Sequence, residues 1–261
     1  MARLLDDIDD LPADLRFVAT VGVFDGVHLG HVHVLEALTR LGSERGAVPV
    51  AITFDPHPQA VITGQAPDLI CDPDEKLARM GEVGAELVVV QRFDEAFRAQ
   101  TAEEFLDRLA KGRDLAGLVM SPESAFGRDR QGTIDTVRRL ALQDGWHLVE
   151  IDTLEIDGAR VSSGRIRELV GAGDLDGAAR LLGRRYAVCG VALDIEDGWW
   201  GLEPAAAYAM PPAGEYTVAI ADGPEASKMG RASARVDTLG HMSLSVGPDG
   251  AGDREPVRVE F

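Results

Sequence analysis

The stretch Thr20 to His31, TVGVFDGVHLGH, decides how the rest of this sequence is interpreted. It overlaps an apolar run from Phe17 to Val23 that is typical of a buried strand, and it precedes a segment from Val32 to Leu41 whose leucines have helical spacing. Glycines between a strand and a helix let a polyphosphate approach the backbone closely, and a helix N-terminus offers unpaired N–H groups. The stretch therefore predicts a phosphate-binding turn. Its glycines are Gly22, Gly26 and Gly30.

Two histidines, His28 and His31, lie where this helix is predicted to begin. Imidazole can donate a hydrogen bond or place a positive charge beside the oxygens of a phosphate that is being transferred. One alternative is a shared zinc ion, but neither an HExxH spacing nor a cysteine pair accompanies the two residues. A second alternative is that both are ordinary histidines at the start of a helix. The glycines around them favour phosphate, and we assign no metal ligand.

Composition limits the classes of function. The chain has 261 residues, enough for two modules, and 45% of them are hydrophobic. It has 44 acidic against 26 basic residues, which disfavours nucleic acid as a partner. Two distant cysteines, an acidic start without signal-peptide character and the lack of an apolar run of about 20 residues predict a cytoplasmic protein without a membrane partner.

Strand-like and helix-like segments alternate along the first two thirds of the chain. Predicted strands cover Val48 to Phe54, Glu86 to Val90, Leu115 to Met120 and Trp146 to Ile156. The intervening helices include two with capping-box patterns, Asp72-x-x-Glu75 and Thr101-x-x-Glu104. This alternation predicts an α/β fold with right-handed crossovers and a parallel, Rossmann-like sheet. Ligands of such sheets bind at the carboxyl ends of the strands, where the histidine stretch and the segment TFDPHP fall.

A second candidate phosphate-binding stretch, VSSGRIR, covers Val161 to Arg167. Ser162 or Ser163 can cap the helix that follows, which places Arg165 and Arg167 in its first turn. Cations at a helix N-terminus oppose the helix dipole, so the pattern favours a bound anion there. The alternative is that these arginines are simply solvated, as most arginines are.

The string Gly22-x-Phe24-Asp25-Gly26-Val27-His28-x-Gly30-His31 resembles the opening motif of the bacterial FAD synthetases, which transfer AMP from ATP to FMN. Its His-x-Gly-His part is similar to the signature of a nucleotidyltransferase superfamily. The segments TFDPHP at Thr53 to Pro58 and FGRxxxG at Phe126 to Gly132 also resemble that family. The SSGRIR stretch resembles the family's ISSTxIR, except that Gly164 replaces its threonine and removes a possible phosphate donor.

The resemblance implies a function and a set of site residues. It implies ATP and FMN as substrates with Mg²⁺, and catalytic roles for His28, His31 and Arg167. The implied nucleotide-binding residues are Gly22, Phe24, Asp25, Gly26, Gly30, Ser162, Ser163 and Arg165. The implied acceptor-binding residues are Phe54, Pro56, His57, Pro58, Glu123 and Phe126.

The last third of the sequence resembles a riboflavin kinase module that has lost its motifs. Alternating or apolar segments separated by turn residues predict a small antiparallel β-barrel. We place the boundary at Gly183, with a nucleotidyltransferase domain over 1–183 and a kinase-like barrel over 184–261. The family's PTAN motif corresponds here to Pro204 to Ala207, and its glycine-rich loop is reduced to Gly198 to Gly201. Mg²⁺ needs oxygen ligands, so the sequence predicts no riboflavin kinase activity.

One wall of the implied acceptor site also departs from the family pattern. Ser121 and Ser124 stand where the family has a glycine and an aromatic residue, and Glu123 replaces an aspartate or asparagine. Three interpretations stay open: drift within a working FMN site, nucleotidyl transfer to a different phosphorylated acceptor, and a silent flavin- or nucleotide-binding protein.

Overall fold

A computed structural model describes residues 2–122, 124–196, 199–204, 206–222, 229–245 and 256–261. The chain forms two compact units. The first consists of Met1–Pro67 and Leu77–Glu155, and the second of Asp68–Lys76 and Ile156–Phe261. Across these described ranges, no helix has both the length and the apolar character that a membrane crossing requires.

Six strands form the sheet of the first unit. Their bounds are β1 Arg3–Leu5, β2 Arg16–Val21, β3 Val48–Asp55, β4 Leu87–Arg92, β5 Asp114–Met120 and β6 His147–Glu150. The spatial order is β1-β4-β3-β2-β5-β6, and every neighbouring pair is parallel. Residues in β2, β3 and β5 are almost continuously buried, as expected for strands that are covered on both faces.

Helices cover both faces of this sheet. Their bounds are α1 Leu29–Arg45, α2 Pro58–Thr63, α3 Pro73–Glu82, α4 Glu95–Arg98, α5 Ala102–Ala110 and α6 Ile134–Asp144. The predicted leucine stripe of α1 is buried on one face of the sheet together with Met80 of α3. Phe105 of α5 and Leu140 of α6 pack on the opposite face. The predicted parallel α/β architecture is confirmed.

The strand order creates a crevice at one defined place. From β2 the chain proceeds to β3 and β4 on one side, and it then returns to add β5 and β6 on the other side of β2. The loops that leave β2 and β5 therefore run in opposite directions. In open α/β sheets, ligands bind at the carboxyl ends of the strands at such a switch point. The histidine stretch directly follows β2, so the fold places it at this position.

Local signals define several helix ends as expected. The capping box of α5 is complete: Glu104 N donates to Thr101 Oγ1 at 3.1 Å, and Thr101 N donates to the Glu104 carboxylate at 2.8 Å. Helix α6 ends at Gly145, which has a φ of 80°. This left-handed conformation favours glycine because it has no Cβ.

The second unit contains two helices, a short hairpin apart from its first residue Glu155, and a barrel. The bounds are β7 Glu155–Ile156, β8 Ala159–Arg160, α7 Ser163–Gly171, α8 Leu175–Leu182, β9 Ala187–Glu196, β10 Trp199–Pro204, β11 Gly214–Asp222, β12 Met229–Val236, β13 Met242–Leu244 and β14 Pro256–Glu260. The strands close in the order β10-β13-β12-β11-β14-β9, with antiparallel pairing throughout. The predicted antiparallel barrel is confirmed.

Two details of the sequence interpretation change. Trp199 to Gly201, which we took for the remnant of a glycine loop, lies within strand β10 and pairs with β9 and β13. Two consecutive aromatic residues suit a pleated strand, and this local preference outweighs the adjacent glycine. Gly198 lies outside the described residues. Helices α7 and α8 belong to the same unit as the barrel. The functional boundary at Gly183 stays a prediction.

Candidate functional site

The turn between β2 and α1 has an unusual backbone. Phe24, Gly26 and Val27 have φ angles of 53°, 84° and 37°, which lie in the left-handed region. Non-glycine residues rarely adopt it, and each such residue costs about 1 to 3 kcal/mol of strain. Phe24 and Val27 are each only 2% exposed, so packing holds them there, and Val27 N closes the turn by donating to Phe24 O at 3.0 Å. Backbone strain of this kind is concentrated at ligand-binding sites.

Gly22 lies close to an aromatic ring. A Cβ at this position would lie 3.2 Å from the Phe24 ring, which is tighter than ordinary packing. The Gly22 N–H donates to Ile52 O at 3.0 Å, and Thr53 Oγ1 donates to Val23 O at 2.9 Å. These bonds connect the chain after β2 to the end of β3. The two predicted stretches, TVGVFDGVHLGH and TFDPHP, are thus linked directly.

His28 caps helix α1 with its own side chain. Its Nδ1 accepts a hydrogen bond from His31 N at 3.3 Å, and the residue is 5% exposed. An Nδ1 that accepts a hydrogen bond carries no proton, so the neutral ring carries its proton on Nε2. His28 is therefore fixed by one nitrogen and has the other as a hydrogen-bond donor.

His31 stacks on His28. The two ring centroids are 3.7 Å apart with an interplanar angle of 14°, and Phe24 packs against His31 edge-on at 5.2 Å. Asp25, between the left-handed residues, is a buried carboxylate with 5% exposure. The structure therefore brings together the predicted residues Gly22, Phe24, Asp25, Gly26, His28, Gly30 and His31 at the start of α1.

The segment after β3 repeats the histidine cap. His57 Nδ1 accepts from Gln59 N at 3.1 Å and caps α2, which begins at Pro58. The preceding Asp55–Pro56 peptide bond is cis. Phe54, at the end of β3, packs against two further rings at centroid distances of 5.4 Å to Phe93 and 5.7 Å to Phe97.

A cluster of five phenylalanines joins the predicted acceptor residues. Phe97 contacts Phe105 at 5.8 Å, and Phe105 contacts Phe126 at 5.3 Å, so a continuous path of rings connects Phe54 to Phe126. The members of this phenylalanine cluster are Phe54, Phe93, Phe97, Phe105 and Phe126. Sequence reasoning assigned only Phe54 and Phe126 to the site. The available signal for Phe93 was its position three residues after the predicted strand Glu86 to Val90.

The loop after β5 closes on itself through two serines. Ser121 Oγ and Ser124 Oγ are 2.7 Å apart, and Ser124 Oγ accepts from Ser121 N at 3.3 Å. Phe126 and Gly132 pair as an isolated bridge beyond it. Gly127 has a φ of 74°, and a Cβ there would lie 2.7 Å from Ala102 N, so only glycine fits. Glu123, which was predicted to contact the acceptor, lies outside the described residues.

The VSSGRIR stretch belongs to the second unit, whereas the histidines belong to the first. Ser162 Oγ accepts from Arg165 N at 3.2 Å and caps α7, which begins at Ser163. The Arg165 side chain pairs with Glu168 at 2.9 Å, and Arg167 Nε donates to the Asp68 carbonyl at 2.6 Å. Of the two serines, Ser162 is the one at the cap position.

Gly164 has open space around it. A Cβ at this position would find only Ser162 Oγ as a neighbour, at 4.0 Å. The replacement of the family's threonine by glycine is therefore not enforced by packing among the described residues. As to metals, no group of three or more His, Cys, Asp or Glu side chains suited to a metal ion occurs in the part of the chain that the structure describes.

Comparisons with known proteins indicate the family of this chain. A profile of the FAD synthetase family matches residues 11–165. A bifunctional riboflavin kinase/FMN adenylyltransferase of Pseudomonas fluorescens is 34% identical over 177 residues, which is 67% of this chain and 57% of the relative. The protein of the same description from Escherichia coli K12 is 32% identical, with 66% and 56% covered, and that from Bacillus subtilis 168 is 30% identical, with 78% and 67% covered.

The chain spans somewhat more than half the length of the first of these relatives. Its fold also matches a crystal structure described as a macrolide-efflux protein from Streptococcus pneumoniae, with a TM-score of 0.84 and 22% identity. That match covers 100% of this chain and 89% of the other. The two proteins therefore share the parallel α/β fold and the antiparallel barrel. The matched residues 11–165 contain the whole turn from Gly22 to His31 and the TFDPHP segment. The chain belongs to the FAD synthetase family.

Proposed function

We propose that this chain is an FMN adenylyltransferase. An oxygen of the FMN phosphate attacks the α-phosphorus of ATP, the new P–O bond gives FAD, and the bond to the β-phosphate breaks to release pyrophosphate. The observation that carries the proposal is the turn before α1, where left-handed backbone and the His28–His31 stack lie at the switch point of a parallel sheet. The relatives' descriptions as FMN adenylyltransferases support the choice of reaction.

The reaction asks for charge stabilisation more than for covalent chemistry. Both reactants are anions, and negative charge develops on the leaving pyrophosphate as the bond breaks. We assign the Nε2–H of His28 and the ring of His31 to the phosphate oxygens, together with the first N–H groups of α1. Because His28 Nδ1 is held by the helix backbone, its Nε2 donor is oriented before the substrate binds. From the resemblance to the family motif, we assign phosphate oxygens of the nucleotide to Arg165, Arg167, Ser162 and Ser163 as well.

Mg²⁺ in this proposal enters with the nucleotide. Mg²⁺ usually keeps several waters and binds through substrate phosphates and one or two carboxylates. The buried carboxylate of Asp25 in the turn is the type of ligand that this binding mode needs, because Mg²⁺ prefers oxygen ligands. When bound, Mg²⁺ neutralises charge on the phosphates. The residues of the chain then have to orient the triphosphate through their hydrogen-bond donors, and they have to exclude water from it.

One assay tests the reaction and separates it from its alternatives. The purified protein is incubated with ATP, Mg²⁺ and FMN, and FAD and pyrophosphate are measured. FAD formation is the expected result. Pyrophosphate that forms only with another phosphorylated acceptor would support a different nucleotidyl transfer, and the absence of both products would support a silent binding protein.

We expect His28→Asn to lower kcat by about 100- to 1000-fold, because the variant loses a preoriented donor to developing charge. Asparagine is itself a good helix cap, so the free energy of unfolding should change little. His28→Ala should lose the same activity and in addition about 1 kcal/mol of stability, through loss of the cap. Turnover and urea unfolding are measured on the same preparations.

His147→Asn is the matched control, because His147 is exposed on the edge strand β6. It should leave both quantities unchanged. Wild-type turnover in folded His28→Asn would refute the assignment of this histidine to the phosphates.

We also propose that the barrel lacks riboflavin kinase activity. Pro204 and Ala207 carry no oxygen in their side chains, and the Ala207 carbonyl accepts from Leu69 N at 2.8 Å. A cavity of about 710 Å³ in this unit is lined by residues that include Asp68, Asp237 and His241, and the described residues around it include no lysine or arginine. Such a lining lacks the lysine and arginine groups that sites for a nucleoside triphosphate normally provide. Ala205, also part of the replaced motif, lies outside the described residues.

Riboflavin, ATP and Mg²⁺ are therefore expected to give no FMN with this protein. The assay follows FMN by chromatography at enzyme concentrations that produce measurable FAD from FMN. The kinase assay is validated with a bifunctional relative, such as that of Bacillus subtilis. Accumulation of FMN with the present protein would overturn the proposal.

The altered wall of the implied acceptor site leads us to expect a change in FMN affinity. Ser124 replaces the family's aromatic residue and is used in the hydrogen bond to Ser121, so part of the stacking surface is lost. An aromatic pair contributes about 0.5 to 1.5 kcal/mol beyond burial, which corresponds to roughly two- to tenfold in affinity. We expect FMN to bind more weakly by this factor than to relatives with the full motif, as measured by quenching of FMN fluorescence. Family-like affinity would end the idea of an altered acceptor.

Phe54→Leu is the companion variant for this titration. The substitution removes one ring of the phenylalanine cluster. Because an aromatic contact is lost, FMN binding should weaken by a further two- to tenfold, while ATP binding stays unchanged. If the wild-type protein binds ATP but not FMN, the result would favour nucleotidyl transfer to a different phosphorylated acceptor.

A further inference from the structure

The second unit includes a segment from a distant part of the sequence. Residues Asp68–Lys76, which we call the strap, belong with Ile156–Phe261 and not with the strands on either side of them in sequence. Its backbone pairs with the chain between β10 and β11. Leu69 N donates to Ala207 O at 2.8 Å, and Ala209 N donates to Leu69 O at 2.9 Å, which forms a parallel bridge of Leu69 with Tyr208.

A tyrosine attaches the strap and also organises a helix start. Asp72 Oδ1 accepts from Asp74 N at 2.9 Å and Glu75 N at 3.3 Å at the start of α3, while its Oδ2 accepts from the Tyr208 hydroxyl at 3.1 Å. Burial and the charge of Asp72 raise the pKa of Tyr208 well above its usual value, so its hydroxyl stays a donor. A single carboxylate thus caps a helix and binds the barrel.

Glu75 attaches the strap through buried charge. Its Oε1 accepts from Arg184 Nε at 3.2 Å, and its Oε2 accepts from Arg258 Nη1 on β14. The side chains of Glu75, Arg184 and Arg258 are 11%, 15% and 8% exposed. Burial alone would lower the pKa of Arg258, but the hydrogen bond and charge of Glu75 outweigh it and raise that pKa. The Arg258 guanidinium therefore stays charged, and the strap is held by two ion pairs shielded from water.

The first residue of the strap contacts Arg167. The Asp68 carbonyl accepts from Arg167 Nε at 2.6 Å. Arg167 is the fifth residue of α7, so it lies at the start of the second turn and not in the first turn as predicted. This bond uses the Nε–H of the guanidinium and restricts the rotation of the side chain about its long stem. A donor that is fixed before substrate arrives binds it more tightly, because less conformational freedom is lost on binding.

We propose that the strap is a positioning device for Arg167, and that the barrel is retained because it holds the strap. Glu75 and Tyr208 are the positioning residues, and they act on ATP phosphates through the Asp68 carbonyl and Arg167. This inference rests on the proposed function, since it takes Arg167 to contact the polyphosphate. It gives the barrel a use in adenylyl transfer that needs no chemistry within the barrel.

The test measures ATP affinity by calorimetry and the kinetics of FAD formation for Tyr208→Phe and Glu75→Gln. Loss of one hydrogen bond in the strap should weaken ATP binding about two- to tenfold for Tyr208→Phe, and Glu75→Gln should have the larger effect. The KM for ATP should rise while the KM for FMN stays unchanged, a split that a general loss of structure would not produce. Glu215→Gln is the matched control, because Glu215 forms an exposed ion pair with Arg235 on the same barrel.

A double-substitution experiment identifies the route. In an Arg167→Lys background the bond from Nε to Asp68 is gone, so Tyr208→Phe should cause no further loss of ATP affinity. Unchanged ATP affinity in Tyr208→Phe, or losses that simply multiply in the double variant, would overturn the proposal. Tyr208→Phe keeps all charges of the strap, and it decides the question alone where Glu75→Gln does not fold.

The readout separates this inference from the proposed reaction. A wild-type protein that binds ATP but makes no FAD would refute the adenylyl transfer to FMN, while the affinities would still decide the role of the strap. Conversely, wild-type ATP affinity in Arg167→Lys would overturn the positioning role and leave FAD formation by the wild type as it stands.

Discussion

The hydrogen bond from His31 N to His28 Nδ1 is the constraint on which the candidate site depends. It caps α1 directly after the left-handed turn, beside the backbone bond from the same N–H to the His28 carbonyl at 2.7 Å. The same bond fixes which nitrogen of His28 is left as a donor. A serine or aspartate cap would serve the helix equally well. Only a histidine both caps the helix and presents a second polar atom on the far side of its ring.

Much of the first unit follows from local patterns in the sequence. The apolar runs gave the parallel strands, the leucines of α1 gave its buried face, and Thr101 with Glu104 gave a complete capping box. The glycines and the two histidines of the turn indicated a phosphate site, and the resemblance of the string from Gly22 to His31 to a family motif implied the remaining turn residues. These features depend on neighbours within a few residues, which is why one sequence suffices to predict them.

Features that depend on distant contacts were harder to predict. The pattern Asp72-x-x-Glu75 predicted a capping box, and Asp72 does accept from Glu75 N. The Glu75 carboxylate, however, pairs with Arg184 and Arg258, which lie 109 and 183 residues away. The phenylalanine cluster is similar, since its rings come from β3, α5 and three other parts of the chain. No local period connects such residues. The two serines of the acceptor loop, in contrast, are close in sequence. Their two departures from the family pattern look independent, but the side chains form one hydrogen-bonded pair.

The sequence separation of the strap from its partners has a consequence for how the protein is made. Glu75 leaves the ribosome 183 residues before Arg258, which at about 5 to 20 residues per second is a delay of roughly 10 to 40 s. During that interval the Glu75 carboxylate lacks Arg258, and Leu69 lacks its partner segment until residues 207–209 have been synthesised. The environment of Arg167 is thus completed only after β14 has been synthesised and has joined the barrel. A translation product that ends early would contain the histidine turn in full but would lack the ion pair that β14 contributes to the strap.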